Sequence, residues 1–308
     1  MKRICRAVMF SEYGDAEVLR LAELEVPEPS TGQVRIAVRA AGVNPIDWKL
    51  RSGAMAAAMP VRFPAVPGVD VAGVVECVGP DVTDVAVGDE VFGKAVSGSY
   101  AELALANLNA IAAKPEAVSW EVAAALPVAG TTAYHAFAHL GLAQGETIVI
   151  DGAAGGVGTV AAQVARHRGL TVIGTASPRN HDYLRSLGVI PVTYGDGLAV
   201  RVRAVAARGV DAAVDAAGRG SLPALVELTG NPDRVITIAD ASAESLGVRF
   251  AYGEPDDMRG ILAEAAALVA AGTITVPIAR TYPLADAAAA HRDSQTGHVR
   301  GKLVLTPI

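Results

Sequence analysis

Four glycines between residues 152 and 158, in the stretch VIDGAAGGVGTVAAQVAR (149–166), stand where an apolar run gives way to a helical pattern. Ile148, Val149 and Ile150 read as the short β-branched strand of a parallel sheet buried on both faces, which predicts a strand over Thr147 to Ile150. Beyond the glycines, Val157, Val160, Ala161 and Val164 recur at i, i+3, i+4 and i+7, so an amphipathic helix is expected, with Arg166 and Arg168 facing solvent near its end. Set against G-x-G-x-x-G, Ala153 takes the first glycine position, Gly155 the second and Gly158 the third. A strand before and a helix after form the setting a pyrophosphate needs. A glycine lets the backbone approach the anion, and the N–H groups of the first helical turn have no intrahelical acceptor. The expected chemistry is dinucleotide binding by the backbone of Ala154, Gly155, Gly156 and Val157. The same residues also fit a plain tight turn between strand and helix.

The next strand bears on which dinucleotide is admitted. Domains that select NAD place an Asp or Glu about 20 residues past the glycines, at the end of the second strand, to bind the ribose 2′-hydroxyl. Here LTVIGTA (170–176) runs into Ser177, Pro178, Arg179 and Asn180, and the first carboxylate, Asp182, falls in the following helix. Ser177 and Arg179 can meet a 2′-phosphate with a hydroxyl and a charge-assisted pair, which predicts NADPH as the cofactor. The alternative is a helix cap at Ser177 and a solvated surface charge at Arg179.

These residues need a scaffold, and the pattern along the 308 residues supplies two. Residues 1–123 alternate β-branched residues with Gly, Pro and Asp punctuation, as in GQVRIAVRAAGV, DVAGVVECVGP and GDEVFGKAV, and read as β-rich. Residues 124–273 alternate strands (TIVI, LTVIGTA, IPVTY, VDAAVDAA, RVITIA) with helix-length segments, the sign of a doubly wound parallel sheet. The tail 274–308 returns to strands around one helix and is expected to complete the first domain. The fold class is therefore α/β, a β-rich domain plus a Rossmann domain. A net charge of −6 with no Lys/Arg run argues against nucleic acid as a partner. The alanine-rich stretches are too short to span a bilayer, and Glu12 and Asp15 interrupt any signal-like core, so no membrane partner and a cytoplasmic location are expected. Cys5 and Cys77, the two cysteines, are expected as buried free thiols.

Three stretches, AAGVNPIDWKLRSG (40–53), PGVDVAGVVECVGPDVTDVAVGDEVFG (67–93) and DGAAGGVGTVAAQVARHRG (151–169), with GHVRGKLVL (297–305), resemble the medium-chain dehydrogenase/reductase superfamily. Within it they are similar to the zinc-free quinone oxidoreductases related to zeta-crystallin. The resemblance implies a GroES-like catalytic domain, a Rossmann domain, NADPH as hydride donor and a quinone or conjugated enone as substrate. It also implies that Asn44 makes a polar contact to the substrate oxygen or the nicotinamide carboxamide, that Asp47 holds that loop, and that Thr132 and Ile238 lie at the nicotinamide. Tyr194 matches a tyrosine that reaches the 2′-phosphate. A homodimer follows by the same analogy, through an open sheet edge. Residue by residue, Asn44 and Val69 stand where zinc relatives carry a Cys and a His ligand, and two cysteines cannot supply a four-cysteine structural site, so no metal is expected. Asn44 could instead only cap the turn before Pro45, and Thr132 could be a helix-start hydroxyl. Met55 and Met59 stand after RSG where relatives often place a tyrosine, which suggests an adaptable apolar wall.

Other chemistries fail on spacing. None of the seven tyrosines has a lysine four residues later, as a short-chain dehydrogenase requires, and no Gly-x-Ser-x-Gly elbow occurs. His135 and His139 share a helix face but enclose no catalytic Glu. A protein that binds NADPH with little turnover, crystallin-like or redox-sensing, remains the alternative from another class.

Overall fold

A computed structural model describes residues 3–307. Packing divides them into two units: one holds the chain up to Val128, Asp257–Ala270 and the segment from Val276 on, the other Ala129–Asp256 and Ala271–Thr275. In chain order the first unit supplies β1 (Arg3–Met9), β2 (Arg20–Val26), β3 (Gln33–Val43), α1 (Pro45–Arg51), β4 (Asp70–Val78), β5 (Glu90–Ala95), β6 (Leu103–Ala113) and α2 (Trp120–Ala125). The second takes most of α3 (Pro127–Leu140), then β7 (Thr147–Asp151), α4 (Gly156–His167), β8 (Thr171–Thr175), α5 (His181–Ser186), β9 (Ile190–Val192), α6 (Leu198–Val205), β10 (Ala212–Asp215), α7 (Leu222–Thr229), β11 (Val235–Thr237) and β12 (Arg249–Phe250). The first unit then resumes with α8 (Met258–Ala270), β13 (Ile278–Pro283), α9 (Ala287–Gln295) and β14 (Lys302–Thr306).

In the first unit β3, β4, β5 and β6 pair antiparallel in turn, and β6 pairs again with β3, closing a ring. Register shifts at Arg35/Ile36 and Val38/Ala40 bend β3 enough to serve three neighbours. The ring is filled by Val34, Ile36, Val71, Val75, Val91 and Ile111, and β14 and β13 extend the sheet from β3. This sheet draws its strands from the first half of the chain and from the tail's β13 and β14. The pattern-based boundaries at 123 and 273 differ from the packing by a few residues, at 124–128 and 274–275, and by one whole helix. α8, with Leu262, Ala265 and Ala266 buried, lies against β6 of the first unit. An alanine-lined face carries no mark of which sheet it will cover.

The second unit is a six-stranded sheet in the order β12-β11-β10-β7-β8-β9, parallel throughout. Every residue of β7 is buried, as a strand covered on both faces requires. The chain winds outward from β7 through β8 and β9, then returns to β10 on the other flank, so the topological switch point lies at the carboxyl ends of β7 and β10. Residues 273–276 (TITV), where the tail begins, form no strand. Gln163 on α4 occupies the backbone of Thr275 instead, donating to its carbonyl at 2.8 Å and accepting from its N–H at 2.9 Å. Cys5 is buried, whereas Cys77 is only half-buried; both are free thiols. No helix of the described residues is long and apolar enough to cross a membrane.

Candidate active site

In the second unit the glycine loop turns between β7 and α4. Gly152 has φ +77°, a left-handed conformation, and donates to Thr175 Oγ1 at 3.0 Å. A Cβ on Gly158 would meet the Gly152 carbonyl at 2.2 Å, so only glycine lets α4 start this close to the strand end. A Cβ on Gly155 would meet nothing within 4 Å except that carbonyl, at 3.3 Å. Gly155 is thus glycine where space lies open over the start of α4, and Gly158 where backbone presses on backbone. Val157 is half-exposed, and every residue from Gly158 to Ala165 is buried, so α4 is covered all round there instead of along the one stripe the periodicity predicts. Just behind the loop, Asp151 and Asp215 are register partners on β7 and β10 and both are buried. Asp215 accepts from the N–H groups of Ala217 and Gly218 and from Thr237 Oγ1, while Asp151 accepts from Thr175 Oγ1. Burial raises the Asp151 pKa, and the neighbouring Asp215 charge raises it further.

At the carboxyl ends of β8 and β9, Ser177, Arg179 and Tyr194 lie on adjacent turns, Arg179 and Tyr194 exposed. Asp182 falls in the first turn of α5. Ser177 precedes a 3₁₀ turn, but its hydroxyl makes no capping hydrogen bond, so a cap does not account for it. Ile238 follows β11 directly, its N–H donating to the Asp215 carbonyl at 3.0 Å. Thr132 is the sixth residue of α3, which removes the helix-start alternative. On the same helix His135 and His139 place Nε2 atoms 3.3 Å apart, with His139 Nδ1 at 2.9 Å from Arg249. The guanidinium opposes a cation there, and no group of three or more metal-ligating side chains occurs among the described residues.

The first unit gathers the other expected residues. Asn44 precedes α1 with extended backbone, and Pro45, which lacks an N–H, opens the helix where no donor is needed. Asp47 reaches back, Oδ2 accepting the Asn44 N–H at 2.8 Å. The Asn44 amide is itself engaged. Nδ2 donates to Asp70 Oδ2 at 2.9 Å and Oδ1 accepts from Lys302 Nζ, an orientation that the opposed acceptor and donor dictate. One of the two amide N–H groups remains for another acceptor. Asp70, at the head of β4, also accepts from Lys302 at 3.3 Å and from the Val128 N–H at 2.9 Å. Asp47 Oδ2 accepts a second bond from Tyr100 at 2.9 Å, and His291 Nε2 lies 3.2 Å from the Tyr100 oxygen. Burial pushes the Asp47 pKa up to about 7 against the pull of these donors, and burial with the charge of Arg51 pushes that of His291 down to about 3. Both capping and an amide donor are therefore present at Asn44.

Asp70, Tyr100, His291 and Lys302 do not stand out in the sequence as members of one site. Their signal is chemical incongruity: an acid opening an apolar strand, a histidine in AAAAHRD, a lysine before LVL.

Comparison with known proteins gives a consistent picture. The alcohol dehydrogenase GroES-like domain family matches residues 30–137 and the zinc-binding dehydrogenase family residues 187–305. The quinone oxidoreductases of Lama guanicoe and Homo sapiens are each 32% identical, over 99% of this chain and 98% of theirs. Among solved structures, the quinone oxidoreductase from Coxiella burnetii shares 32% identity with a TM-score of 0.88, covering 99% of this chain and all 100% of that one. A mycobacterial protein solved in complex with NADPH shares 30% identity with a TM-score of 0.87, covering 98% of this chain and 100% of its own.

Proposed function

The chain belongs to the medium-chain dehydrogenase/reductase superfamily, in its zinc-free quinone oxidoreductase group, and from that premise we propose that this oxidoreductase uses NADPH to reduce a quinone or an α,β-unsaturated carbonyl by hydride transfer, without zinc. The observation that carries the cofactor choice is the end of β8, where Ser177 and Arg179 replace the acidic residue an NAD enzyme needs. The glycine loop fits the same group, since a side chain at Gly155 would fill the approach to the first turn of α4.

When bound, NADPH supplies the hydride and its electron pair. The chain's own work is to hold and polarise. Backbone N–H groups of Ala154, Gly156 and Val157 would face the pyrophosphate, with Gly155, whose own N–H donates to the Gly152 carbonyl at 3.0 Å, leaving the approach open; Ser177, Arg179 and Tyr194 would meet the 2′-phosphate, and Thr132 and Ile238 would border the nicotinamide. The remaining Asn44 N–H donates to the substrate oxygen or the carboxamide, stabilising charge as it develops, and Asp47 fixes the backbone of that residue. The protein acts as a homodimer in the cytoplasm, which light scattering and fractionation test. NADPH oxidation on addition of a panel of quinones, enones and enals tests the reading as a whole. Turnover with none of them, or equal use of NADH, would overturn it.

A further inference from the structure

Hydride addition to a quinone or enone leaves an oxyanion that takes up one proton, and the neutral amide of Asn44 does not supply it. A buried chain of titratable groups adjoins that residue. His291 on α9, Tyr100 and Asp47 on α1 are linked at 3.2 and 2.9 Å, and all three side chains are buried. α1 and α9 pack on one another, and Tyr100, between β5 and β6, bridges the Asp47 and His291 side chains they carry. Both of its ends are unpaired: Asp47 Oδ1 and His291 Nδ1 are buried and have no protein hydrogen-bond partner among the described residues. Each member can accept one proton while giving up another, as a relay requires.

We propose that Asp47, Tyr100 and His291 form a proton relay that delivers the proton consumed in each reduction, an inference that rests on the reductase reading above. A proton arriving at His291 Nδ1 lets Nε2–H pass its proton to the Tyr100 oxygen, while the Tyr100 hydroxyl proton passes to Asp47. One proton enters, one appears on the carboxyl, and the imidazole is left in its other tautomer with no charge on the two groups between. Transfer from Asp47 to the oxyanion of the reduced substrate restores the carboxylate. Rotation of the tyrosine hydroxyl and return of the imidazole to its Nε2–H tautomer, Nδ1 losing a proton as Nε2 gains one, then reset the chain with no net proton gained.

The surroundings suit this role. Burial, with the Asp70 charge adding to it, holds the Asp47 carboxyl near neutrality, while Lys302, Tyr100 and the Asn44 N–H pull the other way. Burial and Arg51 keep His291 neutral, with one N–H and one lone pair. Arg51 itself follows Asp47 by four residues on the buried face of α1, and its guanidinium has no protein hydrogen-bond partner among the described residues, though the charges of Asp15 and Glu17 act on it.

The test compares wild type with Tyr100→Phe and His291→Asn, both checked for folding by thermal melts. In cofactor-free protein, infrared spectra should show an Asp47 carboxyl band, absent in Asp47→Asn, that titrates near pH 7 and moves to higher pH in Tyr100→Phe, which removes a donor to the carboxylate. In turnover, both variants should lower kcat about tenfold or more at unchanged KM, with a larger solvent isotope effect and a smaller effect of deuterated NADPH, because proton delivery has become limiting. A variant that melts earlier but keeps wild-type kcat and isotope effects would overturn the relay, as would the absence of a titrating Asp47 band. If wild type oxidises NADPH with no quinone, enone or enal, the reductase reading fails instead, and the infrared titration still decides the carboxyl.

Discussion

The glycine loop of the second unit and the Asn44 cluster of the first are assembled by opposite means. The loop is local: residues 151–158 present backbone groups, and its key constraint is the missing Cβ of Gly158, which would press on a carbonyl six residues away. The cluster is dispersed. Asn44, Asp47, Asp70, Tyr100, His291 and Lys302 reach one another across as many as 258 residues, and side-chain bonds supply most of the contacts. A backbone site depends on a turn forming correctly, whereas a side-chain site depends on the folded unit bringing every partner into place. Perturbing each should therefore give different signatures.

The largest effect is expected at Lys302→Met. It would leave Asp70 and Asn44 Oδ1 buried without their cation, and breaking a buried pair from one side costs about 3–5 kcal/mol, measurable by denaturant unfolding. A loss below ~1 kcal/mol would mean the cluster is no more cooperative than the loop. Next come the pH slopes of stability. Asp47 is raised from 3.8 to about 7 in the folded state, so its contribution is full below pH 4 and is lost as pH rises to 7. His291 is lowered from 6.5 to about 3, so its contribution is full above pH 6.5 and is lost as pH falls. The two oppose between pH 4 and 6.5. Asp47→Asn should make stability climb with pH across that window and His291→Asn should make it fall, each by on the order of 1 kcal/mol per pH unit.

In the loop, Gly158→Ala should cost about 1–3 kcal/mol in stability, because the added methyl forces α4 away from the Gly152 carbonyl, and titration should show dinucleotide affinity falling with it. The smallest effect is confined to recognition. Arg179→Ala should leave unfolding unchanged, weaken NADPH at least about tenfold and leave NADH nearly untouched, since a bond to a charged group contributes roughly 1.5–3 kcal/mol. Equal losses for both cofactors would remove Arg179 from the 2′-phosphate.

The loop could be read from the sequence because its instructions are contiguous. β7 ends one residue beyond the expected strand, α4 begins within the glycines, and β8 runs into Ser177 and Arg179 without a carboxylate. Periodicities of 2 and 3.6 and the sterics of glycine act over a few residues, so one window holds the whole cause. Asn44 and Asp47 are marked too, but by the resemblance of AAGVNPIDWKLRSG to a family motif, with a turn cap before Pro45 as the alternative for Asn44. What the sequence could not mark was their company. Asp70 follows 26 residues after Asn44, and Tyr100 and His291 stand 191 residues apart. α8 likewise sits by packing with a sheet that its alanine-lined face does not specify. A hydrogen bond between distant side chains, and the desolvation that moves a carboxyl to about 7, exist only once the sheets and helices have closed around them and excluded water.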